Sequence, residues 1–150
     1  MKYTPRSEWN KVFFVDEDGD IFYRKTGKIA THSHGKYLRV AVNHTKYYAH
    51  HIVWFLAYNK WPERDIDHRD GDCCNNRLSN LREATMSQNI ANSLRYPTRG
   101  IEKHGRRWRA RIHVDWARIE LGSFETREEA VNAYKVAADK HFGEFAFHNR

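Results

Sequence analysis

Residues 66 to 89 read Ile-Asp-His-Arg-Asp-Gly-Asp-Cys-Cys-Asn-Asn-Arg-Leu-Ser-Asn-Leu-Arg-Glu-Ala-Thr-Met-Ser-Gln-Asn. An adjacent Asp67-His68 pair, an acidic loop centred on Gly71 and several Asn fall within this one stretch. A carboxylate and an amide oxygen are donors that suit a hard cation, with waters and a substrate phosphate filling the other positions. An imidazole beside them titrates near neutrality and can deprotonate a water. Phosphodiester hydrolysis requires an activated water, in-line geometry and positive charge against the developing negative charge. Asp67 and a helix-borne Asn suit the ion, His68 suits the base, and an Asn of the loop can fix the imidazole tautomer. A calcium loop is the competing reading of Asp-Gly-Asp, but the bidentate Glu that such a loop carries at its twelfth position is missing. Asp70 and Asp72 read as turn formers, and Asn75 and Asn76 as loop-structuring hydrogen-bonders. Arg77 and Arg82 read equally well as phosphate contacts or surface charges.

These side chains need elements to hold them. Residues 1 to 49 read as short strands. Val12 to Val15 and Ile21 to Arg24 flank an Asp-Glu-Asp-Gly-Asp turn, Thr26-Gly27-Lys28 is a further turn, and Tyr37 to Val42 pairs back through Asn43-His44-Thr45 onto Lys46 to Ala49. His50 to Tyr58 has helical apolar spacing, and Trp61-Pro62 is its expected stop. Ile66-Asp67-His68 reads as a strand end, Arg69 to Ser79 as an ordered loop, and Leu81 to Ala84 as a return strand. Thr85-Met86-Ser87-Gln88 is a capping-box pattern that opens a helix bearing Asn89, Asn92 and Leu94. Pro97 and Gly100 mark a break between Tyr96 and Ile101.

Beyond that break, Trp108, Ala110, Ile112 and Val114 alternate with Arg107, Arg109, Arg111 and His113, so one sheet face is apolar and the other cationic. Residues 100 to 104 and Arg118 to Gly122 supply flanking strands, which predicts a three-stranded antiparallel meander. Thr126 to Glu129 is a second capping box, and Ala130, Ala133, Tyr134, Ala137 and Ala138 give the helix behind it a small-residue face. Gly143 is its stop.

The 150 residues carry a net charge of +7 and a pI near 9.5, which points to an acidic partner such as nucleic acid. Cys73 and Cys74 are adjacent, a poor geometry for a disulfide and the wrong spacing for structural zinc. The longest apolar run, Ile52 to Tyr58, is too short to span a bilayer, and no signal peptide is visible. A cytoplasmic protein is the expectation. Five histidines lie between His32 and His51 without a metal-binding spacing. They read as ordinary histidines, the roles of His50 and His51 remaining open.

The order Asp-His, Gly-containing loop, Asn-Arg-Leu-x-Asn-Leu-Arg and Gln-Asn resembles the HNH endonucleases, specifically the homing-endonuclease-like group of phages and introns. Tyr47 to Trp54 is similar to the Ala-His-Arg-Ile-Val-Trp segment that precedes the motif there. The resemblance covers about residues 37 to 93. It implies a ββα-metal fold, His68 as general base, Asp67 and Asn89 as ligands of one divalent cation (Mg2+, with Mn2+ as the alternative), and Asn80 as orienter of His68. The chain departs from many relatives in having Asn89 where they have His, and His51 where that segment has Arg.

Residues 98 to 149 resemble the APETALA-type, ethylene-response-factor DNA-binding domain, through Arg99-Gly-Ile, Trp108-Arg-Ala-Arg-Ile, Leu121-Gly-Ser-Phe-Glu-Thr and Phe142-Gly-Glu-Phe-Ala-Phe-His-Asn. This implies a sheet lying in the major groove of double-stranded DNA with a helix behind it. Arg99, Arg107, Arg109, Arg111, His113 and Arg118 are the expected DNA contacts, and Glu120 accepts from cytosine or orients an Arg.

The expected fold class is α+β. A nuclease domain over residues 1–94, a small antiparallel sheet plus a ββα-metal unit, is followed over 98–150 by three antiparallel strands packed on one helix. The expected activity is site-directed, homing-type DNA hydrolysis with one metal, nicking as a monomer, in the host-cell cytoplasm if phage-encoded. No obligate protein partner is evident. The alternative is a sequence-specific DNA-binding regulator with an inactive nuclease domain.

Overall fold

A computed structural model describes residues 6–93 and 100–149. The chain divides into two compact units, Met1–Glu83 and Ala84–Arg150. The break read between Tyr96 and Ile101 falls largely outside the described residues, as do Leu94 and Arg99.

The first unit opens on a 3-10 turn, Arg6–Glu8, and a short helix, α1 (Trp9–Val12). The sequence reading had only strands here. The helical turn brings Trp9 and Phe13, four residues apart, to one side of the chain, and both are buried with their rings 6.5 Å apart. Strand β1 (Phe13–Val15) pairs antiparallel with β2 (Ile21–Tyr23), Phe13 opposite Tyr23 and Val15 opposite Ile21. The acidic run between them folds because Asp16 Oδ1 accepts from the Asp18 and Asp20 amides at 3.0 and 2.9 Å.

A three-stranded antiparallel sheet follows, in the order β3 (His32–His34), β4 (Tyr37–Val42), β5 (Thr45–Tyr48). Asn43 and His44 both have positive φ, 51° and 65°, the signature of the tight primed turns that fit strand twist. Helix α2 (Ala49–Tyr58) ends earlier than its Trp61-Pro62 signal. Asn59 adopts the left-handed conformation, and its N–H bonds the Phe55 carbonyl at 2.8 Å. An Asn at that position closes the helix by itself. Strand β6 (Asp65–His68) pairs with β7 (Leu81–Ala84), and residues 69–80 form the loop between them. The core joins Trp9, Phe13, Ile21, Val40, Ile52, Val53 and Leu81. The Trp9 ring meets Tyr47, Phe55 and Trp61 edge-on at 5.0, 5.7 and 6.3 Å, so one side chain ties α1 to β5 and α2.

The second unit contains helix α3 (Met86–Ala91), strands β8 (Ile101–His104), β9 (Arg107–Val114) and β10 (Ala117–Phe124), and helix α4 (Arg127–Phe142). The strands form one antiparallel sheet with β9 in the middle. Both helices start at a complete capping box, Thr85 with Gln88 and Thr126 with Glu129. Ile112, Ala137, Ala138, Phe142, Phe145 and Ala146 form the core together with Ala84, and Ala91 and Tyr134 pack around it. The alanines of α4 carry no side-chain bulk beyond Cβ, which lets the helix axis approach the sheet.

Candidate active site and cationic sheet

Strand β6 ends by delivering Asp67 and His68 into the first unit, each only 4% exposed. A buried carboxylate needs a counter-charge, and Arg82 on the paired strand supplies it: its Nε donates to Asp67 Oδ2 at 2.9 Å, with Arg82 itself 7% exposed. Arg82 is therefore neither a surface charge nor a phosphate contact by position. A buried Asp on one strand, with a single cation on its partner strand, is the signal that could have found the pair.

Nε2 of His68 lies 3.1 Å from Asn76 Oδ1. Since that oxygen can only accept, Nε2 carries the hydrogen and the basic lone pair is on Nδ1. Burial lowers the His68 pKa below the ordinary imidazole value, opposed by the Asn76 contact and then by Asp67 and other nearby carboxylates. Asn80, for which the family resemblance implied the orienting role, is buried and braces the loop. Its Nδ2 donates to Asp70 Oδ1 at 2.9 Å and to the Asn75 carbonyl at 2.8 Å, and its Oδ1 accepts from the Asp70 amide at 3.1 Å. Asp70 and Asp72 turn the chain as read, accepting from the Asp72 and Cys74 amides. Asn76, read only as a loop former, is 1% exposed and carries the contact to the imidazole.

Asn76 is held in place from outside the loop. Gly19 in the β1–β2 turn has φ +83°, and a Cβ there would sit 2.3 Å from the Asn76 carbonyl carbon. An Arg77–Asp18 ion pair lies beside this contact. Gly19→Ala is expected to destabilise the fold by about 1–3 kcal/mol from the forced backbone conformation alone. It should also displace Asn76 and reduce activity, and urea unfolding with a parallel DNA-cleavage assay measures both.

A second imidazole borders the site. His50, at the start of α2, stacks on Tyr48 at 5.3 Å and meets the His68 ring edge-on at 5.2 Å. It is 6% exposed, and burial first, then His51 and His68, push its pKa down to about 3. It is a neutral ring near physiological pH. Its Nδ1 has no hydrogen-bond partner among the described residues. His51, half-buried, packs on Trp61 at 5.2 Å.

Asn89 lies on α3, in the second compact unit, half-buried, with its amide bonded to the Thr85 carbonyl at 2.9 Å. Among the described residues no three His, Cys, Asp or Glu side chains gather into a metal cage.

In the second unit the strand register puts Arg107, Arg109, Arg111 and His113 of β9 on one face with Arg118 and Glu120 of β10. Arg118 lies opposite His113, and Glu120 opposite Arg111. The cations differ in state. Arg111 is forked onto Glu102 at 3.1 and 3.2 Å, Arg118 is paired with Glu120, and Arg107 donates to the Ser123 carbonyl at 2.8 Å. Arg109 is exposed, and its side chain makes no hydrogen bond or ion pair among the described residues.

Residues 47–91 match the HNH endonuclease family, a segment that includes Asp67, His68, Asn80 and Asn89. The chain is also 34% identical over 105 residues to a protein of Acanthamoeba polyphaga mimivirus named as an uncharacterized HNH endonuclease. That alignment takes in 67% of this chain and 56% of the viral protein, so the chain spans little more than half of its relative's length. No solved structure matches the chain. No helix among the described residues is long and apolar enough to cross a membrane.

Proposed function

We propose that the chain is a metal-dependent DNA endonuclease in which His68 takes the proton from a water that attacks a phosphodiester. The observation that carries this reading is the buried Asp67-His68 pair, with Asn76 on the imidazole, inside the segment that matches the HNH family. The lowered pKa of His68 keeps its basic form populated at neutral pH. Asn76 fixes the ring and its tautomer, Asn80 fixes the loop that carries Asn76, and Gly19 backs that loop from the adjoining turn.

A hard divalent cation, Mg2+ or Mn2+, fits the donors, since the Asp67 carboxylate and the Asn89 amide both offer oxygen. Those two residues would hold it, and when bound it supplies positive charge to the phosphate and the leaving oxygen. Arg82 sets the orientation of Asp67 through Oδ2.

The cationic sheet of the second unit is the DNA-reading part, in the manner of an APETALA-type domain, with Arg107, Arg109, Arg111, His113, Arg118 and Glu120 facing the duplex, joined by Arg99. The enzyme is then site-directed, of the homing kind, and with one nuclease centre per chain it nicks as a monomer. The +7 charge supports a polyanionic substrate.

Supercoiled plasmid incubated with the full chain and Mg2+ is expected to become open circles, and excess chelator to stop the conversion. Equal nicking in chelator would sink the metal-dependent reading. Tight duplex binding with no nicking in either Mg2+ or Mn2+ would favour a DNA-binding regulator with an inactive nuclease segment.

A further inference from the structure

The β9–β10 turn holds one residue, Trp116, against conformational preference. Asp115 and Trp116 both have positive φ, 45° and 71°. Hairpins reserve those positions for Gly, Asn or Asp, and a bulky side chain there costs roughly 1–2 kcal/mol. The indole gains little from packing in return, since Trp116 is 86% exposed. The turn is nonetheless fixed: the Asp115 amide donates to Ser87 Oγ on α3 at 3.1 Å. Folding therefore does not account for a tryptophan at this tip.

Beside it lies a cavity of about 290 Å³, walled by Met86 and Ile90 of α3, Asp115 and Trp116 of the turn, and Tyr134 and Phe142 of α4. Met86 and Ile90 are 54% and 45% exposed, so the wall is an apolar surface open to solvent. The volume is at the low end for ligand pockets, about 300 Å³ upward, which suits one flat ring system better than a peptide helix. The cationic face begins at the same tip. His113 lines the cavity, Arg118 sits opposite His113 across the strands, and the guanidinium of Arg109 further along β9 has no partner among the described residues. An aromatic wall continuous with exposed cations complements a ligand that combines a flat π-system with phosphate charge.

We propose that Trp116 and this cavity form a stacking site for a nucleobase of the DNA held on the β8–β10 face. The inference rests on the reading of that face as a DNA-binding surface. Trp116 supplies the π-face, Tyr134 and the α3 side chains exclude water behind the base, and the arginines hold the backbone on either side.

The test uses the full chain and labelled duplex and single-stranded oligonucleotides over a series of salt concentrations. Trp116→Ala is expected to weaken binding about 5- to 150-fold, the range that loss of one base–aromatic stack gives, with the slope of log K against log salt unchanged. Trp116→Phe should retain most of the affinity. Arg109→Ala, in contrast, should reduce the salt slope by about 1. Indole fluorescence should be quenched on DNA addition in the wild type, and a component of that quenching should be missing in Trp116→Phe. Wild-type binding with Trp116→Ala unchanged overturns the stacking site and leaves the cationic face intact. Unchanged DNA affinity together with lost self-association in Trp116→Ala overturns it in favour of a protein contact. Failure of the wild type to bind either oligonucleotide overturns the reading of the face and the stacking site together.

Discussion

Replacement of His68 by Ala is expected to lower plasmid nicking by about 10²- to 10⁴-fold, the usual contribution of a positioned general base, with duplex binding unchanged. The expectation follows from the state in which the fold keeps the ring. Burial disfavours the imidazolium, and the Asn76 oxygen on Nε2 directs the lone pair to Nδ1. The pH profile should move with it. With a folded pKa below the ordinary 6.5, wild-type activity should persist into mildly acidic solution and fall only as the pH drops through the lowered value. Asn76→Ala should cost less rate than His68→Ala, and should shift the acid limb because the contact that raises the His68 pKa is gone. A His68→Ala protein that nicks at the wild-type rate would remove His68 from the mechanism.

The second large effect is on stability. Arg82→Ala leaves the Asp67 carboxylate buried without the cation on Oδ2, and breaking a buried pair from one side costs about 3–5 kcal/mol. Thermal unfolding of this variant should start well below that of the wild type. The double replacement Asp67→Asn with Arg82→Met should recover much of the loss, because the penalty lies in the uncompensated charge and not in the missing bond. Arg82→Lys is expected to fall between, since an ammonium cannot reproduce the directed Nε–H donation. Equal stability of Arg82→Ala and the wild type would mean that water reaches Asp67 and that the pair is worth no more than a surface bridge.

Local chemistry was readable in the sequence wherever it is decided by residues near each other along the chain. Thr85 with Gln88 and Thr126 with Glu129 announce their helices because each capping box is complete within four residues. The alternation from Arg107 to Val114 is legible for the same reason. Long-range contacts were not. That Asn76 reaches His68, that Arg82 reaches Asp67 and that Gly19 abuts Asn76 all depend on how strands and turns meet, and these contacts span 8, 15 and 57 residues. The helical start at Trp9 was missed because a four-residue helix carries too few positions to show a period. What sets Trp116 apart, its positive φ and its exposure, belongs to the folded hairpin and has no counterpart in the local sequence.

The placement of Ala84 and Ala91 has a consequence for how such proteins can be recombined. Both pack in the core of the second unit, with Phe142 and Phe145, although both fall inside the segment 47–91 that matches the nuclease family. A genetic exchange that grafted a foreign segment after residue 93 would carry α3 along without the aromatic residues it packs on. Hybrids joined at the Glu83–Ala84 peptide would keep that core whole but would take Asn89 from the new partner. Any exchange of the second unit must therefore carry Asn89 with it, or rebuild the packing of α3 afresh.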